Sequence, residues 1–485
     1  LRLENNKPFS VTYVGWPSIP RTQSSKMTCS EWIKAMTKYV DDAGTDIKRP
    51  TLSGQCEVLE SLVRDDPDKY SVVLDEAVKN ESIPIKYVEY GMRGLIEAGR
   101  LADAERVFMR IVDLFDGILY SSYRGFEIRR FLTSMEGFIQ KLHITQTMLD
   151  VIGEVALNAE EDEVVYSDEM TVYDIGMNRT RGYAGYLLVK CGYVKEYKDA
   201  IFDTLEAMAE TASVYSRSAV LWNMSVLNGL DVRRNINLFK KLLHDYDPRL
   251  MSMPVTTSNP AVYFAQYNLA DIKDYFQHAL ECPSCYKEQV LLLWLAWSHN
   301  DHDRDVAKLL DAMCESSQDA RVSLLDFLGG LGEYMNEDAV IYIKYLMSPA
   351  FDSLELGKAC GDMFCKLDDC SSAIRHELSN AYVGSPLSGH CGRAFIRFLA
   401  GYSICDPIQT LKWLNEIIAK SDSISEDMWD MIADVLIQSY NGVKSFNDDD
   451  DKPVLENAMD LIDQLMMRQD NNYVIMNFIN KLDHE

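Results

Sequence analysis

From Ser30 onward, apolar residues recur every three or four positions, and short polar or Gly/Pro-containing breaks punctuate the pattern. The stretch Ser30-Glu31-Trp32-Ile33-Lys34-Ala35-Met36 opens it, with Ser30 as the expected N-cap. Segments 52–64, 67–79 and 83–98 follow, with Pro67 and Pro84 where a helix's first turn tolerates the missing N–H. Glu97-Ala98-Gly99 reads as a helix end with Gly99 just past it, and 100–108 as the next helix, with Ala104 and Phe108 sharing a face. Polar breaks are expected at 158–176 and at 245–262, where Pro248, Pro254 and Pro260 stand among Thr256, Thr257 and Ser258. Helical patterning resumes at 263–280 and runs to about 441. Asn447 to Pro453 reads as an exposed acidic loop, followed by helices over 454–468 and 473–482. Before Ser30, Pro8, Pro17 and Pro20 break helices, and Val11–Val14 suits a short strand or an extended arm.

Two segments repeat one pattern. Asn178-Arg179-Thr180-Arg181-Gly182-Tyr183-Ala184-Gly185-Tyr186-Leu187-Leu188 is followed, about 36 residues on, by Ser216-Arg217-Ser218-Ala219-Val220-Leu221-Trp222-Asn223-Met224-Ser225-Val226-Leu227. Each sets an Arg just inside a helix start, then small residues that let helices approach, then large apolar ones that fill the groove. The fold expected is therefore all-α: an α-solenoid of HEAT/TPR-like helical hairpin repeats behind an irregular N-terminal arm. Its parts would be the arm (1–29), an N-terminal helical-repeat subdomain (30–245), a connecting loop (246–262) and a C-terminal helical-repeat subdomain (263–485).

Composition agrees with helices joined by short turns: 25 Gly and 14 Pro are few for 485 residues, and 47% of residues are hydrophobic. With 75 acids against 48 bases the net charge is −27, which repels phosphate backbones and argues against nucleic-acid binding. The 11 cysteines are scattered and odd in number, the pattern of reduced thiols in a cytoplasmic protein. The most apolar run, Val290–Trp297, is too short to span a bilayer, so no membrane association is expected. The chain begins at Leu1 rather than Met, which suggests a processed product or a piece of something longer.

Candidate chemistry is sparse. The P-loop pattern, His-Glu-x-x-His and Gly-x-Ser-x-Gly do not occur. His278, Cys282 and Cys285 have spacing that could hold Zn²⁺, with Cys314 or His299 as a fourth ligand, but Pro283 between the cysteines also suits an ordinary helix-end turn. His299-Asn300-Asp301-His302-Asp303 reads as a solvated turn between helices, and Asp448–Asp451 lacks the ligand spacing of a calcium loop. Arg181 and Arg217, at one place in successive repeats, suit a ladder that bonds carboxylates or helix C-terminal carbonyls of a neighbour. Two basic pairs, Arg129–Arg130 and Arg233–Arg234, either meet an acidic partner or balance nearby acids.

The chain also resembles the helical-repeat region that follows the NTPase core in bacterial antiviral STAND NTPases. The resemblance is carried by Ser30–Met36, by Asp66-Pro67-Asp68-Lys69-Tyr70, by Ile85-Lys86-Tyr87-Val88-Glu89-Tyr90-Gly91-Met92-Arg93-Gly94-Leu95, by Asn178-x-x-Arg181-Gly182-x-Ala184 with the Arg217-x-Ala219 helix, and by Glu456–Met466. It covers 30–480 loosely and 30–245 best. The resemblance implies a C-terminal sensor region that recognises a phage protein, after which an NTPase core, absent from this sequence, oligomerises. The expectation is a non-catalytic protein-recognition module with no cofactor and no bound metal. Arg181, Tyr183, Tyr186, Arg217 and Trp222 are the expected partner-binding residues. A general scaffold or adaptor, and an enzyme of unrecognised type acting through His299 and His302, are the alternatives.

Overall fold

A computed structural model describes residues 17–40, 51–80, 82–115, 125–161, 170–253, 259–421, 426–444, 456, 458–461 and 463. The expected arm or strand at Val11–Val14, the acidic loop at Asp448–Asp451 and the terminal helix at 473–482 lie outside them. Among the described residues all regular structure is helical and no strand occurs. The chain forms two compact units, 1–264 and 265–485.

The first helices show how the local sequence sets their ends. A single turn, α1 (Arg21–Ser24), precedes α2 (Cys29–Lys38), so the segment expected to be irregular throughout contains helix. The N-cap of α2 is Thr28, not Ser30. The Thr28 hydroxyl accepts the Glu31 N–H at 3.3 Å, and the Glu31 carboxylate accepts the Thr28 N–H at 2.7 Å, a reciprocal pair that satisfies two orphan donors. Next come α3 (Leu52–Asp65), α4 (Pro67–Ala77), α5 (Ile85–Glu97) and α6 (Leu101–Phe115). Pro67 occupies the first turn of α4, whereas Pro84 is itself the N-cap of α5. At the end of α5, Gly99 has φ +76°, and the Gly99 and Arg100 N–H groups donate to the Ile96 and Leu95 carbonyls at 3.1 and 2.9 Å. That arrangement needs a residue without a Cβ at the left-handed position. Ala104 and Phe108 are both fully buried, as their shared face predicts.

The N-terminal unit continues with α7 (Gly125–Gln140), α8 (Gln146–Asn158), α9 (Val172–Asn178), α10 (Thr180–Lys190), α11 (Lys198–Thr211), α12 (Val214–Asn223), α13 (Val232–Leu242) and α14 (Pro248–Met251), and the division between the units falls within α15 (Ala261–Asn268). Two expected breaks are therefore shorter than read: α9 begins inside 158–176, and α14 lies inside the 246–262 connection. Helices pack on neighbours two or three places along the chain. One series runs α3, α5, α7, α10, α12, each packed on the next, and another pairs α2 with α4, α4 with α6, α8 with α11 and α11 with α13. At the centre is α10, buried from Thr180 to Val189 and packed on α7, α8, α9 and α12. Burial of each large apolar side chain there contributes about 1.5–3 kcal/mol.

The C-terminal unit holds α16 (Lys273–Ala279), α17 (Tyr286–Ser298), α18 (Arg304–Ser316), α19 (Gln318–Gly329), α20 (Glu337–Leu346), α21 (Leu354–Met363), α22 (Ser372–Gly384), α23 (Arg393–Tyr402), α24 (Pro407–Lys420) and α25 (Glu426–Lys444). The helix expected over 263–280 is interrupted by a 3₁₀ turn at Leu269–Asp271. Helices α17, α19, α21, α23 and α25 pack in succession, as do α20, α22 and α24. The apolar run Val290–Trp297 is the buried core of α17. No helix of the described residues is long and apolar enough to cross a membrane.

Candidate functional site

The two repeated arginines lie inside the N-terminal unit. Arg181 is 7% exposed and Arg217 4%. Arg181 Nε donates to the Ala156 carbonyl at 2.9 Å, in the last turn of α8, while its Nη1 and Nη2 reach the Thr211 carbonyl and hydroxyl at the last residue of α11. Arg217 Nη1 donates to the Leu242 carbonyl, the last residue of α13, at 2.7 Å, and the guanidinium grips Asp245 through two bonds of 2.9 and 2.6 Å. Each cation thus meets carbonyls that a helix end leaves unpaired and that carry partial negative charge. The Arg217 hydrogen bond holds the Asp245 carboxyl well below its ordinary range, at about 2, against the opposing effect of burial. As buried groups with intrachain partners, these two residues present no open anchor. They tie the helices together.

The three aromatic candidates converge at one place. Tyr183 and Tyr186, on α10, donate their hydroxyls to the two carboxylate oxygens of Glu136, on α7, at 2.9 and 3.2 Å. Their rings lie 5.6 Å apart. Trp222, near the end of α12, stacks on Tyr173 of α9 with centroids 4.1 Å apart and planes 21° from parallel. The Arg129 guanidinium lies 5.8 Å from the Tyr183 ring centre and Lys190 Nζ 5.3 Å from that of Tyr186. Arg129 is held by the Asn178 carbonyl and side-chain oxygens at 2.9 and 3.0 Å. Glu136, Tyr173, Trp222, Asn223, Arg129 and Lys190 are half-buried, whereas Tyr183 and Tyr186 are buried, so the side of the cluster toward solvent is formed by the former and the two phenols lie within the fold.

Burial, followed by the Glu136 charge, pushes the phenols of Tyr183 and Tyr186 far above their ordinary range. Burial also raises Tyr173, to about 12, against the opposing effect of a hydrogen bond to Asn223. All three remain O–H donors near neutrality. A carboxylate has about four acceptor positions, and each Glu136 oxygen takes one phenol here, leaving acceptor capacity for an incoming N–H. The half-buried groups therefore combine the Tyr173–Trp222 stack, a carboxylate acceptor and two flanking cations.

Sequence reading found Tyr183, Tyr186 and Trp222 but not Glu136, Tyr173 or Asn223 as their partners. Glu136 left one signal: it is an acid in the otherwise uncharged run Phe131-Leu132-Thr133-Ser134-Met135-Glu136-Gly137-Phe138. Nothing local marks Tyr173, whose role comes from the helix that packs beside it.

A second carboxylate fastens neighbouring segments. Glu161 accepts the Ser213 N–H at the start of α12 (3.0 Å), the Ser216 hydroxyl (2.9 Å) and Arg179 Nη1 (2.9 Å). Burial would raise its pKa, but these donors together hold it below the ordinary range.

The other candidates are dispersed. Arg234 is committed to Asp199, Asp203 and Glu206 on α11 and lies over Phe202, whereas Arg233 is exposed. The Arg130 side chain lies outside the description. His299 Nδ1 meets Gln266 Nε2 at 2.8 Å, and His302 Nε2 meets Asp338 at 2.8 Å, both on the exposed side of a turn. His278 Nδ1 pairs with Glu281 at 3.0 Å, while Cys282 and Cys285 adjoin each other. Among the described residues no three His, Cys, Asp or Glu groups come together as a metal site.

Comparison with protein-family models finds no match. Comparison with curated proteins finds none.

Proposed function

We propose that this chain is a non-catalytic protein-recognition module, the target-sensing helical-repeat region of a bacterial anti-phage defence protein of the STAND NTPase type. The packing of helices on near neighbours within each unit supports a solenoid reading, in which successive helix pairs shield one another's apolar faces and a series of parallel helices is left to face a partner. The observation that carries the recognition reading is the half-buried Tyr173–Trp222 stack beside the Tyr183–Glu136–Tyr186 network. Tyr and Trp held rigidly lose little entropy on binding, and such residues dominate protein interfaces. Arg181 and Arg217 act through the platform, by fixing the helices that carry it. The partner is a phage protein and no cofactor takes part. Oligomerisation belongs to an NTPase domain outside this sequence, and the setting is the bacterial cytoplasm. The antiviral assignment rests on the sequence resemblance; the face supports recognition in general.

The test uses the chain as bait in extracts of uninfected and phage-infected bacteria. A phage-encoded protein captured only after infection is the expected result. Trp222→Ala should weaken that capture at least tenfold with the helical circular dichroism unchanged. A partner held equally from uninfected cells would replace the sensor by a scaffold or adaptor. Binding indifferent to both Trp222→Ala and Tyr173→Ala would move the interface elsewhere.

A further inference from the structure

A pair of thiols in the C-terminal unit has a geometry that recognition does not require. Cys282 and Cys285 lie on the turn between α16 and α17, with their sulfurs 2.8 Å apart. Unbonded heavy atoms settle roughly 3.5–4.0 Å apart, and a covalent S–S bond is about 2.05 Å. Pro283–Cys285 form a single 3₁₀ turn, and Cys285 is the N-cap residue of α17. The Tyr286 hydroxyl, just beyond the turn, donates to the Leu280 carbonyl at 2.7 Å and pins the loop across its base. The Ser284 hydroxyl lies 3.6 Å from the Cys282 sulfur and 3.8 Å from that of Cys285. Exposure differs between the two: Cys282 is half-buried and Cys285 buried.

We propose that Cys282 and Cys285 form a redox-active dithiol, with Cys282 the attacking and Cys285 the resolving sulfur, and that its co-reactant is a small-molecule disulfide of the glutathione class. The Cys282 thiolate attacks one sulfur of that disulfide. The S–S bond breaks, the first small thiolate departs, and it takes up the proton that Cys282 gave to solvent. The Cys285 sulfur then attacks the Cys282 sulfur of the mixed disulfide, expelling the second small thiolate, which takes up the Cys285 proton. Two protein thiols are oxidised to one disulfide, and one small disulfide is reduced to two thiols. The second step is intramolecular between sulfurs already in contact, so the mixed disulfide is short-lived. The bridge closes across the Cys282–Cys285 turn, so oxidation fixes the turn that leads into α17. This assignment is independent of the recognition reading.

The experiment equilibrates the whole protein with reduced and oxidised glutathione at a series of ratios, quenches it in acid, alkylates it and maps the peptides by mass spectrometry. The expected result is an internal Cys282–Cys285 disulfide whose fraction follows the ratio, with exposed Cys365 and Cys405 carrying at most single glutathione adducts. In Cys285→Ser the glutathione adduct on Cys282 should rise at least tenfold over wild type, because its resolving sulfur is gone. Cys282→Ser should leave Cys285 unmodified in the folded protein. Wild-type protein that keeps both thiols alkylatable under the most oxidising ratio, or that accumulates the Cys282 adduct to the same level as Cys285→Ser, would overturn the assignment. The wild-type titration decides the matter even if a variant folds poorly.

Discussion

At the residue scale, Arg217 shows how much one buried cation can hold. It joins the end of α13 to Asp245 from a position inside α12, and its guanidinium is almost fully enclosed. Arg217→Met removes the charge but keeps much of the volume, and leaves the Leu242 carbonyl unpaired. The expected cost is about 2–3 kcal/mol, measured by chemical denaturation. Arg217→Lys should recover only part of that, because a single ammonium cannot match the two-pronged grip on Asp245. The acid response follows from the same pair. Asp245 is held at about 2 in the folded chain, below its ordinary 3.8. Its contribution is complete above about pH 4 and disappears as pH falls through 2. Asp245→Asn should therefore flatten the acid limb of the stability curve between those values and leave its slope near neutrality unchanged, read from denaturation midpoints at each pH.

At the scale of elements, the contact of α9, α10 and α12 depends on missing side chains. A Cβ on Gly176 would run into the Tyr215 carbonyl oxygen, and one on Gly182 into the Gly176 carbonyl oxygen. Both obstacles are backbone, which cannot rotate away. Gly182→Ala should cost about 3 kcal/mol and lower the thermal midpoint, whereas Gly229→Ala, with open space around it, should be close to neutral. The small-residue pattern Gly182, Ala184, Gly185 was legible in the sequence because close helix approach demands it wherever it occurs. So were the helical periodicity and the Gly99 stop. The α2 start was misplaced at Ser30: Thr28 and Glu31 stand at capping-box spacing, but Ser30 is an equally good cap by type and the choice depends on where the apolar stripe begins. The short helices α1 and α14 and the early start of α9 were missed, and the partners were hidden. That Arg181 would reach the ends of both α8 and α11, or that Tyr173 would lie under Trp222, depends on which helices become neighbours, and no local propensity encodes that. The sequence therefore predicted three members of the aromatic face without the carboxylate that joins two of them.

At the scale of the molecule, the net charge of −27 is carried by two separately compact units. Separate cores have separate thermal stabilities, so calorimetry of the intact chain should resolve two transitions rather than one. Arg217→Met should move only the transition of the N-terminal unit. A single peak that moves as a whole in Arg217→Met would show that the units unfold together. The packing on near neighbours also bears on how the chain comes to be folded at all. Side-chain bonds that bind the N-terminal helices join residues separated by 18 positions, Arg179 to Glu161, by 25, Arg181 to Ala156, and by 55, Ser216 to Glu161. In the C-terminal unit Tyr342 bonds Asp311 at 31 and Trp413 bonds Asn380 at 33. Closing such short loops costs little entropy. On the ribosome, a helix has to wait for only a few dozen further residues before the groups that fasten it have emerged, so the nascent chain can settle its first helices while the last are still being translated.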